Sequence, residues 1–129
     1  MPSIFTRIIN GEIPCYKVAE NEHCFAFLDI SPLSKGHTLV VPKKEVDYLF
    51  DLDQESYQHL MAFSKHVAIA IGRAVACLRV GVAVIGLEVP HAHIHLIPLR
   101  TSTINFSDPK LKLEKEEFER IAEAIRAQL

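Results

Sequence analysis

One run constrains this chain more than any other: His91-Ala92-His93-Ile94-His95-Leu96-Ile97-Pro98, where imidazoles and apolar side chains alternate. Successive side chains of a β-strand point to opposite faces. The alternation therefore predicts a strand over His91 to Pro98. His91, His93 and His95 line one face, while Ala92, Ile94 and Leu96 are free to bury on the other. Same-face neighbours stand roughly 6.5–7 Å apart, so the row spans about 13 Å.

Three uses of such a row are open on pattern alone. The rings can be plain core or surface residues, although three packed polar rings without partners leave donors unsatisfied. They can offer ligands to a metal, with His37 or Glu88 completing the set. Or one neutral ring can attack a phosphate while its neighbours donate N–H bonds to the oxygens. Spacing does not separate the last two.

The rest of the chain supplies the scaffold. Ser3 to Ile9 carries apolar residues at helical spacing and stops at Asn10-Gly11. Two short strands follow, Cys15 to Glu20 and Cys24 to Asp29, with Asn21-Glu22-His23 as their turn. His37 to Val41 is β-branched and apolar, a buried strand ended by Pro42. Asp51 to Ala76 is the main helix, with Tyr57, Leu60, Met61, Ser64, Val67, Ala68, Ile71 and Val75 on one stripe. Asp51 and Gln54 suit a capping box at its start. Val80 to Ile85 is a further strand. Asp108-Pro109 opens a linker to a C-terminal helix marked by Leu113, Phe118, Ile121, Ala122, Ile125 and Leu129. Strands, a helix, then strands again predict an α+β domain: an antiparallel five-stranded sheet with one main helix and a C-terminal helix.

Composition bounds the partners. A length of 129 residues suits one domain, 1–129, and close to half are apolar, enough for a core without disulfides. A net charge of −2 gives no electrostatic case for nucleic acid or an acidic membrane. Cys15, Cys24 and Cys77 are an odd set with no CxxC pair, which points to free thiols in a reducing compartment. No basic segment followed by an apolar run opens the chain, and no apolar stretch approaches the ~20 residues that span a bilayer. A cytoplasmic protein is expected, with neither membrane nor nucleic acid as partner.

At its histidine run the sequence resembles the histidine-triad family, whose signature is His-φ-His-φ-His-φ-φ with φ apolar. His91 to Ile97 matches at every position. Ser3-Ile4-Phe5 to Pro14 is similar to the family's opening segment, Ala26 to Pro32 to its nucleoside-binding strand and turn, and Lys35 to Lys43 to its next strand. The resemblance covers about residues 3–100, the triad-bearing core, and leaves about 101–129 as linker and helix. It implies a histidine-triad fold, a homodimer and a phosphoramidase-like or dinucleotide-hydrolase-like activity on a purine nucleotide or nucleotidyl substrate. No cofactor and no metal are implied.

The resemblance also implies roles. His93 would attack the α-phosphorus and form a nucleotidyl-histidine, which water resolves to a nucleoside monophosphate. Its other ring nitrogen would donate to the main-chain carbonyl of His91. His91 would steady the neighbouring rings, His95 would bond a phosphate oxygen, and His37 would support the row from an adjacent strand. Asp29 would grip the ribose hydroxyls, its bottom-up alternative being a turn residue before Ser31-Pro32. Ile4, Phe5, Phe27 and Leu28 would line the base pocket.

The chain departs from the family in places. Leu87 stands where many relatives have glutamine, Glu88 where a hydroxyl residue is usual, and Val80 to Ile85 lacks a common asparagine. Glu88 could bind a cationic leaving group, orient His37, or merely face solvent. These departures keep open a non-catalytic nucleotide-binding regulatory module, and the row itself keeps open a metal protein using His91, His93, His95 and His37. Some relatives carry a structural zinc on two cysteines and a histidine. Those positions here are Ser3, Thr6 and Glu45, which argues against that zinc.

Overall fold

The computed structural model describes residues 1–129. In chain order the elements are α1 (Ile4–Ile9), β1 (Lys17–Glu20), β2 (Cys24–Leu28), β3 (Thr38–Pro42), a 3₁₀ turn (Leu49–Asp51), α2 (Gln54–Ala74), β4 (Arg79–Ala83), β5 (Ile94–Leu99) and α3 (Lys115–Arg126). The strands form one antiparallel sheet in the order β1-β2-β3-β5-β4. The expected α+β architecture with a five-stranded antiparallel sheet is the one observed.

Local chemistry sets the boundaries. Ser3 caps α1, its hydroxyl accepting from the Thr6 N–H. The β1–β2 turn closes where Asn21 Oδ1 accepts from the N–H groups of His23 and Cys24, at 2.9 and 2.8 Å. Gly36 adopts φ +95°, and a Cβ there would meet Val75 Cγ2 at 2.9 Å. Only glycine turns the chain into His37 at that point.

Sequence and structure differ at the start of α2. Asp53, not Asp51, is the cap, its carboxylate accepting from the Ser56 N–H. Asp51 belongs to the 3₁₀ turn, and buried Leu52 intervenes. The buried stripe of α2 is Leu60, Phe63, Ser64, Val67, Ala70 and Ile71, while Met61 is largely exposed.

The sheet has two dissimilar faces. Cys24, Ala26, Leu28, Val40, Ile94 and Leu96 point to the face covered by α2 and α3, inside a core of 19 buried residues. Phe25, Phe27, Leu39 and Val41 point the other way and meet Phe5 of α1 in a cluster of five. Burial on both faces explains why β2 and β3 are apolar almost without interruption. The two edges differ as well. β1 carries Lys17 and Glu20 and takes a hydrogen bond from Arg126 of α3 to its Lys17 carbonyl. β4 pairs only with β5 and leaves Val82 exposed, with Leu78 just before it and Val84 just after.

Candidate active site

The histidines lie on the smaller face, in register with its aromatic cluster. Phe27 pairs with Leu39, and Leu39 pairs with His95. β5 is shorter than the alternation predicts, because it begins at Ile94 and not at His91. The His91 N–H is taken by the Val89 carbonyl at 2.8 Å and the Ala92 N–H by the Val46 carbonyl at 2.7 Å, so neither joins the ladder. The row survives this irregularity. The His93 and His95 rings stand 5.1 Å apart, and Phe5 sits edge-on to His91 and His93 at 5.7 and 4.9 Å.

Main-chain partners assign every proton in the row, since a carbonyl only accepts and an N–H only donates. His93 Nδ1 lies 2.8 Å from the His91 carbonyl, so Nδ1 carries a proton, and in the neutral ring the lone pair sits on Nε2. His91 Nε2 donates to the Pro42 carbonyl at 2.8 Å, and its Nδ1 accepts from the Ser3 hydroxyl at 2.6 Å. His37 Nδ1 accepts from the Leu33 N–H at 3.0 Å, so its Nε2–H donates to His95 Nδ1 at 3.0 Å. That leaves His95 with an Nε2–H of its own. Burial, the largest influence in each case, holds His37 down at about 3, His95 down at about 4, and His91 below its usual value. All three are neutral near pH 7, as this pattern requires.

His93 and His95 border a cleft of about 220 Å³ that is also lined by Ile85, Gly86, Leu87, Glu88 and Phe106. Val84 and Ile85, expected in strand, instead lead into the loop that forms one wall. Phe106 forms another, packing edge-on to His95 at 4.9 Å. The segment was expected as plain linker, yet it folds back over the site. Leu111 N–H donates to the Pro32 carbonyl at 2.8 Å, and Lys110 Nζ donates to the carbonyls of Phe106 and Asp108. The Lys110 charge acts on both Asp29 and His37. A lone phenylalanine in a polar stretch was the only sequence signal for this wall.

Asp29 sits at the end of β2. Its Oδ1 accepts from the Ser31 N–H at 2.8 Å, the turn role read from sequence, and its Oδ2 lies 3.6 Å from His37 Nε2. Burial raises its pKa above the usual carboxylate range. Phe5 and Phe27 meet edge-on at 5.6 Å beside the row, and Ile4 is 47 % exposed next to them. Leu28 corrects the expected base pocket. It alternates with Phe27, points into the main core and is 2 % exposed, so it lies on the wrong face.

A metal fits this site poorly. Ligand atoms of Asp29, His37 and His95 lie within 4.8 Å of one another. His37 could ligate through Nε2 only by moving its proton to Nδ1, where it would confront the Leu33 N–H. The four-histidine set fails too, because both His91 nitrogens are engaged. The positions of the family's structural zinc do converge. The Ser3 and Thr6 hydroxyls lie 2.6 and 3.5 Å from His91 Nδ1, and Glu45 accepts from the Thr6 hydroxyl, but two neutral hydroxyls and a carboxylate are not the thiolate and imidazole donors of that zinc.

Comparison with known proteins agrees with this geometry. The HIT domain model matches residues 10–102. An adenosine 5'-monophosphoramidase of Schizosaccharomyces pombe is 34 % identical over 132 residues, covering 100 % of this chain and 99 % of that protein. A crystal structure of a Hit-like protein involved in cell-cycle regulation from Bartonella henselae superposes with TM-score 0.86 at 32 % identity, covering 98 % of this chain and 96 % of that one. A zinc-bound histidine-triad protein from Mycobacterium smegmatis gives TM-score 0.80 at 26 % identity, covering 97 % and 91 %. The chain belongs to the histidine-triad family and is a hydrolase of that type.

Proposed function

We propose that this protein hydrolyses nucleoside 5'-phosphoramidates through a nucleotidyl-histidine on His93. One observation carries the reading: His93 donates Nδ1–H to the His91 carbonyl, which puts the lone pair of the neutral ring on Nε2, and that ring borders the cleft. Nε2 attacks the α-phosphorus, the phosphorus–nitrogen bond breaks, and the amine leaves with a proton drawn from solvent. Water then displaces His93, returns a proton to solvent and releases the nucleoside monophosphate. His95 Nε2–H is the donor for a phosphoryl oxygen as charge gathers there. Asp29 accepts from the ribose hydroxyls, and Phe5 and Phe27 contact the base by their apolar faces, with Ile4 at the rim. The Schizosaccharomyces pombe relative, an adenosine 5'-monophosphoramidase, supports the purine nucleotide as substrate.

The cleft favours a compact amine over a polyphosphate. Its walls are Ile85, Leu87 and Phe106, and its one carboxylate is Glu88. An ammonium suits that carboxylate, whereas a second phosphate would face it. The active form we propose is a homodimer joined across the apolar β4 edge, which no other strand covers. The deciding experiment incubates the protein with adenosine 5'-phosphoramidate, follows AMP by chromatography, and repeats the assay with His93→Asn. Undiminished AMP release by that variant would reject the mechanism. Binding of AMP without turnover by the wild type would assign a regulatory binding module instead.

A further inference from the structure

The nucleophile's orientation does not come from the sheet. β5 begins at Ile94, so the peptide groups of His91 and His93 lie outside its ladder. The His91 carbonyl, which holds His93 Nδ1 at 2.8 Å, is aimed by contacts outside that ladder: the Ala92 N–H of the same planar peptide group donates to the Val46 carbonyl at 2.7 Å, and the His91 ring anchors the residue that carries it. The His91 ring is fully buried and pinned at both nitrogens. One nitrogen reaches the Pro42 carbonyl at the end of β3, and the other reaches Ser3 at the start of α1.

We propose that Ser3, Thr6 and Glu45 are positioning residues for the hydrolysis: they hold the His91 ring in one orientation with Nδ1 as the acceptor, and thereby help fix the carbonyl that aims His93. This rests on His93 being the nucleophile. The Thr6 N–H donates to Ser3 Oγ at 3.0 Å, which occupies a lone pair of that hydroxyl. The hydroxyl proton then goes to His91 Nδ1 at 2.6 Å, a closer partner than Thr6 Oγ1 at 3.3 Å. Glu45, beyond the end of β3, accepts from the Ser3 N–H at 2.7 Å and from the Thr6 hydroxyl at 2.6 Å. Its carboxylate ties the first turn of α1 to the segment that follows Pro42. With its proton committed to Glu45, the Thr6 hydroxyl at 3.5 Å does not compete for His91 Nδ1. The short helix α1 thus does more than carry Phe5, because its cap supplies the hydroxyl that holds His91 Nδ1 as an acceptor.

The test uses the full chain and adenosine 5'-phosphoramidate. Ser3→Gly removes the hydroxyl while glycine still serves as an N-cap residue. Its kcat is expected to fall about 10- to 100-fold, the scale of a small misplacement of a reacting group. KM should move less than about twofold, since substrate contacts are kept. Ser3→Thr restores a hydroxyl and should recover most of the loss, and Glu45→Ala should lower kcat by less than Ser3→Gly. Arg7→Ala, on the exposed side of α1, should leave both constants unchanged. Nitrogen-15 spectra of histidine-labelled wild type should show His91 protonated at Nε2 only and His93 at Nδ1 only, with the His93 pattern mixed in Ser3→Gly. A folded Ser3→Gly protein with wild-type kcat overturns the proposal, as does a proton on His91 Nδ1 in the wild type. Absence of turnover in the wild type would instead remove the phosphoramidate-hydrolysis reading, and the spectra would still decide the hydrogen-bonded arrangement.

Discussion

The two faces of the segment from His91 to Leu96 are built on different principles. Ala92, Ile94 and Leu96 face α2 and are almost fully buried among apolar side chains. Their contribution is non-directional and scales with the apolar area they remove from water. His91, His93 and His95 on the other face are nearly as buried, yet they are held by directional bonds to two carbonyls, a hydroxyl and another ring. A side chain on the first face can be trimmed and the fold loses stability. Trimming one on the second is expected to leave the shape of the fold and remove a defined proton. Burial therefore does not by itself separate structural from chemical residues in this molecule, whereas the kind of partner does.

Four experiments break or sharpen that contrast. The largest effect is expected from His93→Asn, which should lower kcat by about 10³-fold or more, roughly 4 kcal/mol of barrier, while the melting temperature stays near that of the wild type. Ile94→Ala, its neighbour on the opposite face, should do the reverse. Truncating a fully buried isoleucine costs about 2–5 kcal/mol of stability, readable by urea denaturation, and the surviving folded fraction should keep its kcat.

Asp29→Asn should have a smaller and more selective effect. Asparagine can still accept from the Ser31 N–H, so the turn is kept. Loss of the charged acceptor should raise KM about tenfold for a ribonucleotide substrate and much less for its 2'-deoxy analogue. Equal changes for the two sugars would remove the ribose assignment.

The gentlest probe is pH. His37 and His95 have folded pKa values pressed down to about 3 and about 4 by burial, below the ordinary histidine value near 6.5. Between those values the unfolded chain binds more protons than the folded one. Stability is therefore full above about pH 6.5 and declines as the pH falls toward 4. Thermal melts over that range should show the decline, and His95→Gln should flatten it. A flat wild-type profile would mean that the rings are solvated and that the tautomer pattern is wrong.

Some of this was legible in the residues alone. Period-two alternation from His91 to Leu96 told which side chains share a face, and the row keeps that alternation although the ladder starts only at Ile94. The same rule, applied to Phe27 and Leu28, would have removed Leu28 from the base pocket, since adjacent strand residues never share a wall. The N-cap of α2 was misplaced by two residues because a 3₁₀ turn looks like a helix start until its main-chain bonds are known. The wall formed by Phe106 had no local pattern, because a loop's path depends on what it packs against.

What the amino-acid sequence determined by itself was the strand chemistry, the helix stripes and the identity of the histidine row, all of them short-range consequences of covalent geometry and side-chain spacing. What only the tertiary structure decided was where the protons sit. His91 and Ser3 are 88 residues apart, and His37 and His95 are 58 apart. A tautomer is chosen by the partner a ring meets, and no local rule specifies a partner that the chain must fold to reach.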